Sequence, residues 1–174
     1  VCYVNSTAEV KAESDYCCTS ANAVEVVESL PKDRRIIFVP DRNLGQFVAE
    51  RTGRDLVLWP GYCPTHVNIT LEALERLRAE HPDAPVLVHP ECTPEVIDYA
   101  DFAYSTEGIM RHVKSAPEKE FIVGTESNMA HRLRREAPGK VFHTVEAATC
   151  PNMREITLED VRDSLLKMQH RIEL

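Results

Sequence analysis

Cysteine and histidine are the residues of this chain with most to offer a reaction, and their spacing is uneven. The cysteines are Cys2, Cys17, Cys18, Cys63, Cys92 and Cys150. Cys63 and Cys150 are each followed by proline. Proline biases the residue before it toward extended backbone, which suits a ligand presented from a loop. No Cys-x-x-Cys pair occurs, which argues against a zinc knuckle. Two thiolates about 87 residues apart are not a metal site by themselves. An iron–sulfur cluster usually takes four cysteines. One held by three would keep an iron open to substrate, by the logic that leaves a position free in catalytic zinc sites. The alternative for both cysteines is that of small buried hydrophobes.

His89-Pro90-Glu91 joins a base and a carboxylate through a rigid spacer. His and Glu are the usual proton movers, although such a tripeptide also serves as a solvated surface turn. Tyr3 and Asn5 close one apolar run much as His89 and Glu91 close another. Ser20 and Thr106 each stand before a helical stretch. There a hydroxyl and free backbone N–H groups can hold a carboxylate or phosphate, or the hydroxyl can simply cap the helix.

These residues must be positioned by short buried strands and the helices between them. Apolar runs predict strands at Val1–Asn5, Ile36–Pro40, Leu56–Trp59, Val86–His89, Phe121–Thr125 and Val141–Thr144. Helices are expected near Thr7–Ser14, Ala21–Leu30, Asn43–Thr52, Thr70–Glu80, Thr93–Ala100, Glu107–Lys114 and Ser127–Glu136. The alternation reads as α/β with small parallel sheets. In such units the ligand end is where strands finish and helices begin. A last helix is expected over Thr157–Ile172, opened by Thr157 and Asp160 as an approximate capping box. Leu158, Val161, Leu165, Met168 and Ile172 form one stripe on it, most simply a core-facing surface.

A shift of about 86 residues exposes an internal repeat. Thr7 meets Thr93, Glu9 meets Glu95, Val10 meets Val96, Asp15 meets Asp101, Tyr16 meets Phe102 and Ser20 meets Thr106. With a slip of one residue, Cys63-Pro64 meets Cys150-Pro151. The expected organisation is two α/β units, residues 1–63 and 64–150, followed by a helical segment, 151–174. If a third unit precedes them, its Cys-Pro falls roughly 23 positions before Val1. The absence of an initiator Met and the start inside a strand fit a chain whose N-terminal part is missing.

Composition narrows the class. The 174 residues are 43 % apolar and 28 % charged, as in a globular protein able to bury a core without disulfides. The net charge of −8 argues against nucleic acid or an anionic membrane as partner. No apolar run approaches the ~20 residues needed to cross a bilayer. With no signal peptide and irregular cysteine spacing, a reducing, cytoplasmic location is expected.

The stretches YVNSTAEVKAESDYCCTSANAVEVVESL, IIFVPDRNLG, WPGYCPTH, VLVHPEC, STEGI, VGTE and CPNMREITLEDVRDSL, from Tyr3 to Leu165, together resemble the quinolinate synthase family. These are the iron–sulfur enzymes of de novo NAD biosynthesis. The resemblance implies three similar α/β/α domains about a pseudo-threefold axis, with a 4Fe-4S cluster and the active site at the centre. On this basis 1–63 and 64–150 match the second and third domains, and 151–174 packs on an absent first one. It implies condensation of iminoaspartate with dihydroxyacetone phosphate to quinolinate, phosphate and water. Carried over by motif, Cys63 and Cys150 match two of three cluster ligands, the third lying upstream of Val1. Tyr3, Asn5, Ser20, His89, Glu91 and Thr106 match substrate-binding residues, with Glu91, His89 and Tyr3 as candidates for catalysis. Cys17, Cys18 and Cys92 are expected to be packing thiols. The enzyme that supplies iminoaspartate is a further expected partner, and the chain alone is expected to be inactive. Competing readings are an open-iron hydro-lyase of aconitase type, and a repeat α/β ligand-binding module with incidental cysteines.

Overall fold

The computed structural model describes residues 1–173. Its strands are β1 (Cys2–Tyr3), β2 (Cys17–Cys18), β3 (Ile36–Phe38), β4 (Leu56–Leu58), β5 (Val86–Val88), β6 (Phe102–Ala103), β7 (Glu120–Gly124) and β8 (Val141–Thr144). Its α-helices are α1 (Ala8–Ala12), α2 (Ala23–Ser29), α3 (Arg42–Thr52), α4 (Pro64–Val67), α5 (Leu71–Glu80), α6 (Pro94–Tyr99), α7 (Thr106–Ser115), α8 (Met129–Glu136) and α9 (Leu158–Lys167). A 3-10 turn over Asn152–Arg154 precedes α9. Among the described residues no helix is long and apolar enough to cross a membrane.

All strand pairs are parallel, as the α/β pattern predicts. The second sheet has the order β6-β5-β7-β8. In the first, β1 pairs with β2 and β3 with β4, and a bridge between Cys2 and Val39 joins the two pairs. The resulting order, β2-β1-β3-β4, repeats that of the second sheet strand for strand. The repeat seen in the sequence is therefore a repeat of topology. It includes two strands that the apolar runs do not reveal: β2 and β6 are two residues long and lie at the sheet edges.

Alternation along the strands sends side chains to opposite faces. In the second sheet Leu87, Phe121, Val123 and Phe142 pack against Ile109, Met110, Val113 and Leu133 of α7 and α8. Val86, Val88 and Ile122 face the other way, onto Ile69, Leu74 and Val96. That sheet is buried on both sides. In the first sheet Ile36, Phe38 and Leu56 pack on Val27, Leu44 and Val48 of α2 and α3. Its opposite face is open: Ile37 is 59 % exposed, and Val57 and Trp59 are exposed too.

Capping sets the helix starts. Thr7, Asp41, Thr70, Ser105 and Thr157 each accept a main-chain N–H of the helix they precede. Thr157 and Asp160 form a full capping box, as expected. The stripe on α9 meets no partner among the described residues: Leu158, Val161, Leu165, Met168 and Ile172 are all exposed. The helix stops early, at Lys167, where Met168 turns left-handed at φ 47°.

Candidate functional site

The carboxyl ends of the parallel strands converge, and most of the chemistry-bearing residues meet there. Tyr3 ends β1, His89 follows β5, and the Cys63 and Cys150 loops follow β4 and β8. Asp41 and Thr125-Glu126 occupy the matching positions after β3 and β7.

His89 and Glu91 are buried, 3 % and 7 % exposed, so the solvated-turn alternative fails. His89 Nδ1 accepts the Glu91 main-chain N–H at 3.3 Å. The proton is thereby left on Nε2, which donates to Ser20 Oγ at 3.0 Å. Burial, with the charge of His66 adding to it, pushes His89 down to about 3. His89 is thus a neutral imidazole whose tautomer is fixed by its neighbours. It links the two repeats, since Ser20 belongs to the loop after β2.

His66, in α4, joins this cluster although its sequence position does not by itself single it out. Its ring stacks on that of His89 with centroids 4.4 Å apart. Nδ1 lies 2.9 Å from Glu91 Oε2 and 3.2 Å from Cys63 Sγ, and Nε2 lies 3.0 Å from Thr125 Oγ1. Burial opposes its protonation, but the hydrogen bonds to Cys63 and Glu91 outweigh it and raise His66 to about 9. For Glu91, burial raises the carboxyl. The hydrogen bond and charge of His66 overcome that and hold it below its ordinary value. Glu91 is therefore an ionised base with a protonated partner. The signal was present in the sequence as Cys63-x-x-His66, one helical turn apart.

Cys63 and Cys150 are both partly exposed and unpaired. They are tied through one chain of contacts: Cys63 to His66, His66 to Thr125, and Glu126, the next residue, to the Cys150 main-chain N–H at 3.3 Å. Gly61 lets the first loop lie close. A Cβ there would come 2.5 Å from the Pro40 carbonyl oxygen, so only glycine fits. Cys63 Sγ, His66 and Glu91 offer donor atoms within 4.8 Å of one another, enough to hold a metal.

The remaining candidates are placed less tightly. Tyr3 is half-buried. Burial raises its phenol, and a hydrogen bond with Ser20 offsets this in part. Asn5 is exposed beyond β1. Ser20 is not a cap: α2 starts three residues later, and the Ser20 hydroxyl serves His89. Thr106 is not a cap either. Ser105 caps α7, and Thr106 is its exposed first residue. Burial pushes the thiols of Cys18 to about 11 and Cys92 to about 12, so both are inert. Cys17 departs from the packing role. It is exposed, with its sulfur 3.3 Å from that of Cys2.

Two other features lie away from this cluster. A concavity of about 840 Å³, lined by Val10, Tyr16, Leu30, Ile37 and Val39 among others, contains none of the candidate residues. His81 and His143 stack at 3.4 Å and both approach Glu120 Oε2, a carboxylate already served by two ring nitrogens.

Comparison with known proteins bears on the whole chain. The family model for quinolinate synthetase A protein matches residues 1–174. Curated proteins named quinolinate synthase are similar throughout. That of Desulforudis audaxviator is 52 % identical over 173 residues, 99 % of this chain and 57 % of its own length. That of Methanoregula boonei is 53 % identical, with the same coverage. That of Geobacter metallireducens is 53 % identical over 169 residues, 97 % of this chain and 55 % of its own length. The chain thus spans somewhat more than half the length of these relatives.

Proposed function

From the premise that this chain belongs to the quinolinate synthetase A protein family, we propose that it carries two of three units of an enzyme that condenses iminoaspartate with dihydroxyacetone phosphate, giving quinolinate, phosphate and water. The observation that carries this proposal is the buried His66–Glu91–His89 group set between two free cysteine loops. A 4Fe-4S cluster is the cofactor we assign. The donor set fits it: two unpaired, partly exposed thiols are linked by one hydrogen-bonded chain at the strand ends. Cys63 and Cys150 would hold the cluster with a third thiolate from outside this chain, and bound there it would supply a Lewis-acidic iron.

The protein's own groups divide the remaining work. Glu91 Oε2 is the base that takes protons from the condensing substrates, and His66 Nδ1–H lies 2.9 Å away to share or return them. His89, held neutral, is a donor at Nε2 rather than an acid. Because Ser20 Oγ accepts that hydrogen bond, its own proton can be shared between the Tyr3 phenolic oxygen and a substrate carboxylate. Thr106 offers a hydroxyl at the α7 N-terminus, where main-chain N–H groups favour an anion. The Tyr3 phenol, raised by burial, stays protonated as a donor, and the Asn5 amide can fix an oxygen. The enzyme that releases iminoaspartate is the expected upstream partner.

We also propose the division 1–63, 64–150 and 151–174, with α9 lying on a third unit, so that the 174-residue chain alone has no turnover. The test is quinolinate formation and dihydroxyacetone phosphate consumption by full-length, anaerobically purified enzyme. Glu91→Gln is expected to keep the cluster's absorption and to lose about 10²–10⁴-fold in turnover. Unchanged turnover removes Glu91 as the base, and no quinolinate from the wild type removes the proposal.

A further inference from the structure

Asp41 and Glu126 occupy equivalent places in the two repeats, after β3 and β7, and each does the same unusual thing. Asp41 is 4 % exposed and Glu126 9 %. Asp41 Oδ1 caps α3 through the Leu44 N–H at 2.8 Å, while Oδ2 accepts the Cys63 main-chain N–H at 2.7 Å, 22 residues away. Glu126 Oε2 accepts the Asn128 N–H at 2.8 Å, while Oε1 accepts the Asn128 side-chain amide at 3.0 Å and the Cys150 main-chain N–H at 3.3 Å, 24 residues away. Asp41 thus caps α3 with one oxygen and reaches a cysteine with the other, while Glu126 holds Asn128, the residue before α8, and reaches a cysteine in the same way. An Asn or Ser caps a helix as well as Asp does, so capping alone does not call for a carboxylate at Asp41. Two different side chains, Asp and Glu, arrive at the same contact, which makes accident a poor account.

We propose that Asp41 and Glu126 are paired positioning residues, which fix the two cysteine loops and make the site electrically negative so that a bound cluster resists reduction. The proposal rests on the assignment of Cys63 and Cys150 as cluster ligands. Two effects act in the same direction. A main-chain N–H committed to a carboxylate is not available to the sulfur of its own cysteine, and a nearby negative charge disfavours adding an electron. Both lower the reduction potential of an iron–sulfur cluster. A cluster used as a Lewis acid gains from this, because reduction would weaken the acid. Among the described residues no salt bridge joins Asp41 or Glu126 to a cationic side chain: His66 pairs with Glu91, and the Arg42 guanidinium lies over the Tyr62 ring at 5.3 Å. Asn43, buried beside Asp41, spends its amide on the Glu91 carbonyl at 3.0 Å.

The test uses full-length holoenzyme, kept anaerobic, with Asp41→Asn, Asp41→Ser and Glu126→Gln. Circular dichroism and thermal melting first establish that the α3 cap survives in Asn and Ser. The expected results are a reduction midpoint shifted to more positive potential in an EPR-monitored titration, and iron lost to a chelator with about 10- to 100-fold weaker retention. Asp41→Glu, which keeps the charge, is expected to shift the midpoint less than Asn. Folded variants with wild-type midpoint, EPR signature and iron retention overturn the proposal. If Asn and Ser unfold, the Glu126→Gln midpoint alone decides it. Loss of the cluster's absorption on Cys63→Ala and Cys150→Ala is a separate result. Its absence would overturn the ligand assignment instead.

Discussion

Ile122 and Ile37 occupy the same place in two sheets of identical order, yet Ile122 is fully buried and Ile37 is 59 % exposed. The difference lies in what covers them. Ile122 packs under Ile69 and Leu74, from the segment that leads into α5. Over Ile37 the described residues leave an open concavity flanked by Val10 and Tyr16. The covering segment has a twin. Ile69-Thr70-Leu71-Glu72 recurs as Ile156-Thr157-Leu158-Glu159, the same distance beyond a Cys-Pro. Ile69 is fully buried where Ile156 is 72 % exposed, and Leu74 is fully buried where Val161 is 48 % exposed. Thus the helix after the first Cys-Pro covers the second sheet, while its twin after Cys150 covers no sheet among the described residues.

Three experiments break or sharpen this comparison. The largest effect is expected where the repeats should be equal. In full-length protein, Cys63→Ala and Cys150→Ala should each abolish the visible absorption of the cluster, and a variant that keeps it would make the two loops unequal. Next comes the contrast between twin helices. Leu74→Ala should destabilise the chain by about 2–5 kcal/mol, the usual cost of a buried cavity. Val161→Ala in the 174-residue chain should change stability by no more than about 0.5 kcal/mol. Denaturant midpoints measure both, and equal costs would end the distinction. Between them in size lies Thr157→Ala. It removes the capping box of an unsupported helix and should cost about 1 kcal/mol, read as lost helicity near α9.

How far the sequence disclosed all this follows from signal length. Val86–Val88 is a continuous apolar run, as is β7 after its first residue Glu120, and both are legible as buried strands. Cys17–Cys18 and Phe102–Ala103 hold two residues each, too few to carry a period. α4 was hidden because its first residue is Pro64, which punctuates a sequence although it suits the first turn of a helix. The stripe on α9 is amphipathic, as its spacing predicts, but periodicity states only which face is apolar and not what meets it, and its expected packing on a further unit lies outside these residues. His89, Glu91 and Ser20, which the structure brings together, are legible from motif and spacing. Asp41 and Glu126 were missed because a carboxylate before a helix looks like an ordinary cap, and its second oxygen leaves no mark in the sequence.

His66 reaches from the first cysteine loop to Thr125 in the other repeat, one residue before the carboxylate that holds Cys150. Such a strut works as a spacer gauge: neither loop can drift without dragging its counterpart. Many small metalloproteins are unfolded until the metal gathers their ligands. If Cys63 and Cys150 hold the cluster as proposed, the polypeptide links two of its ligand loops before it arrives, and maturation is delivery of a finished inorganic part to a partly built berth.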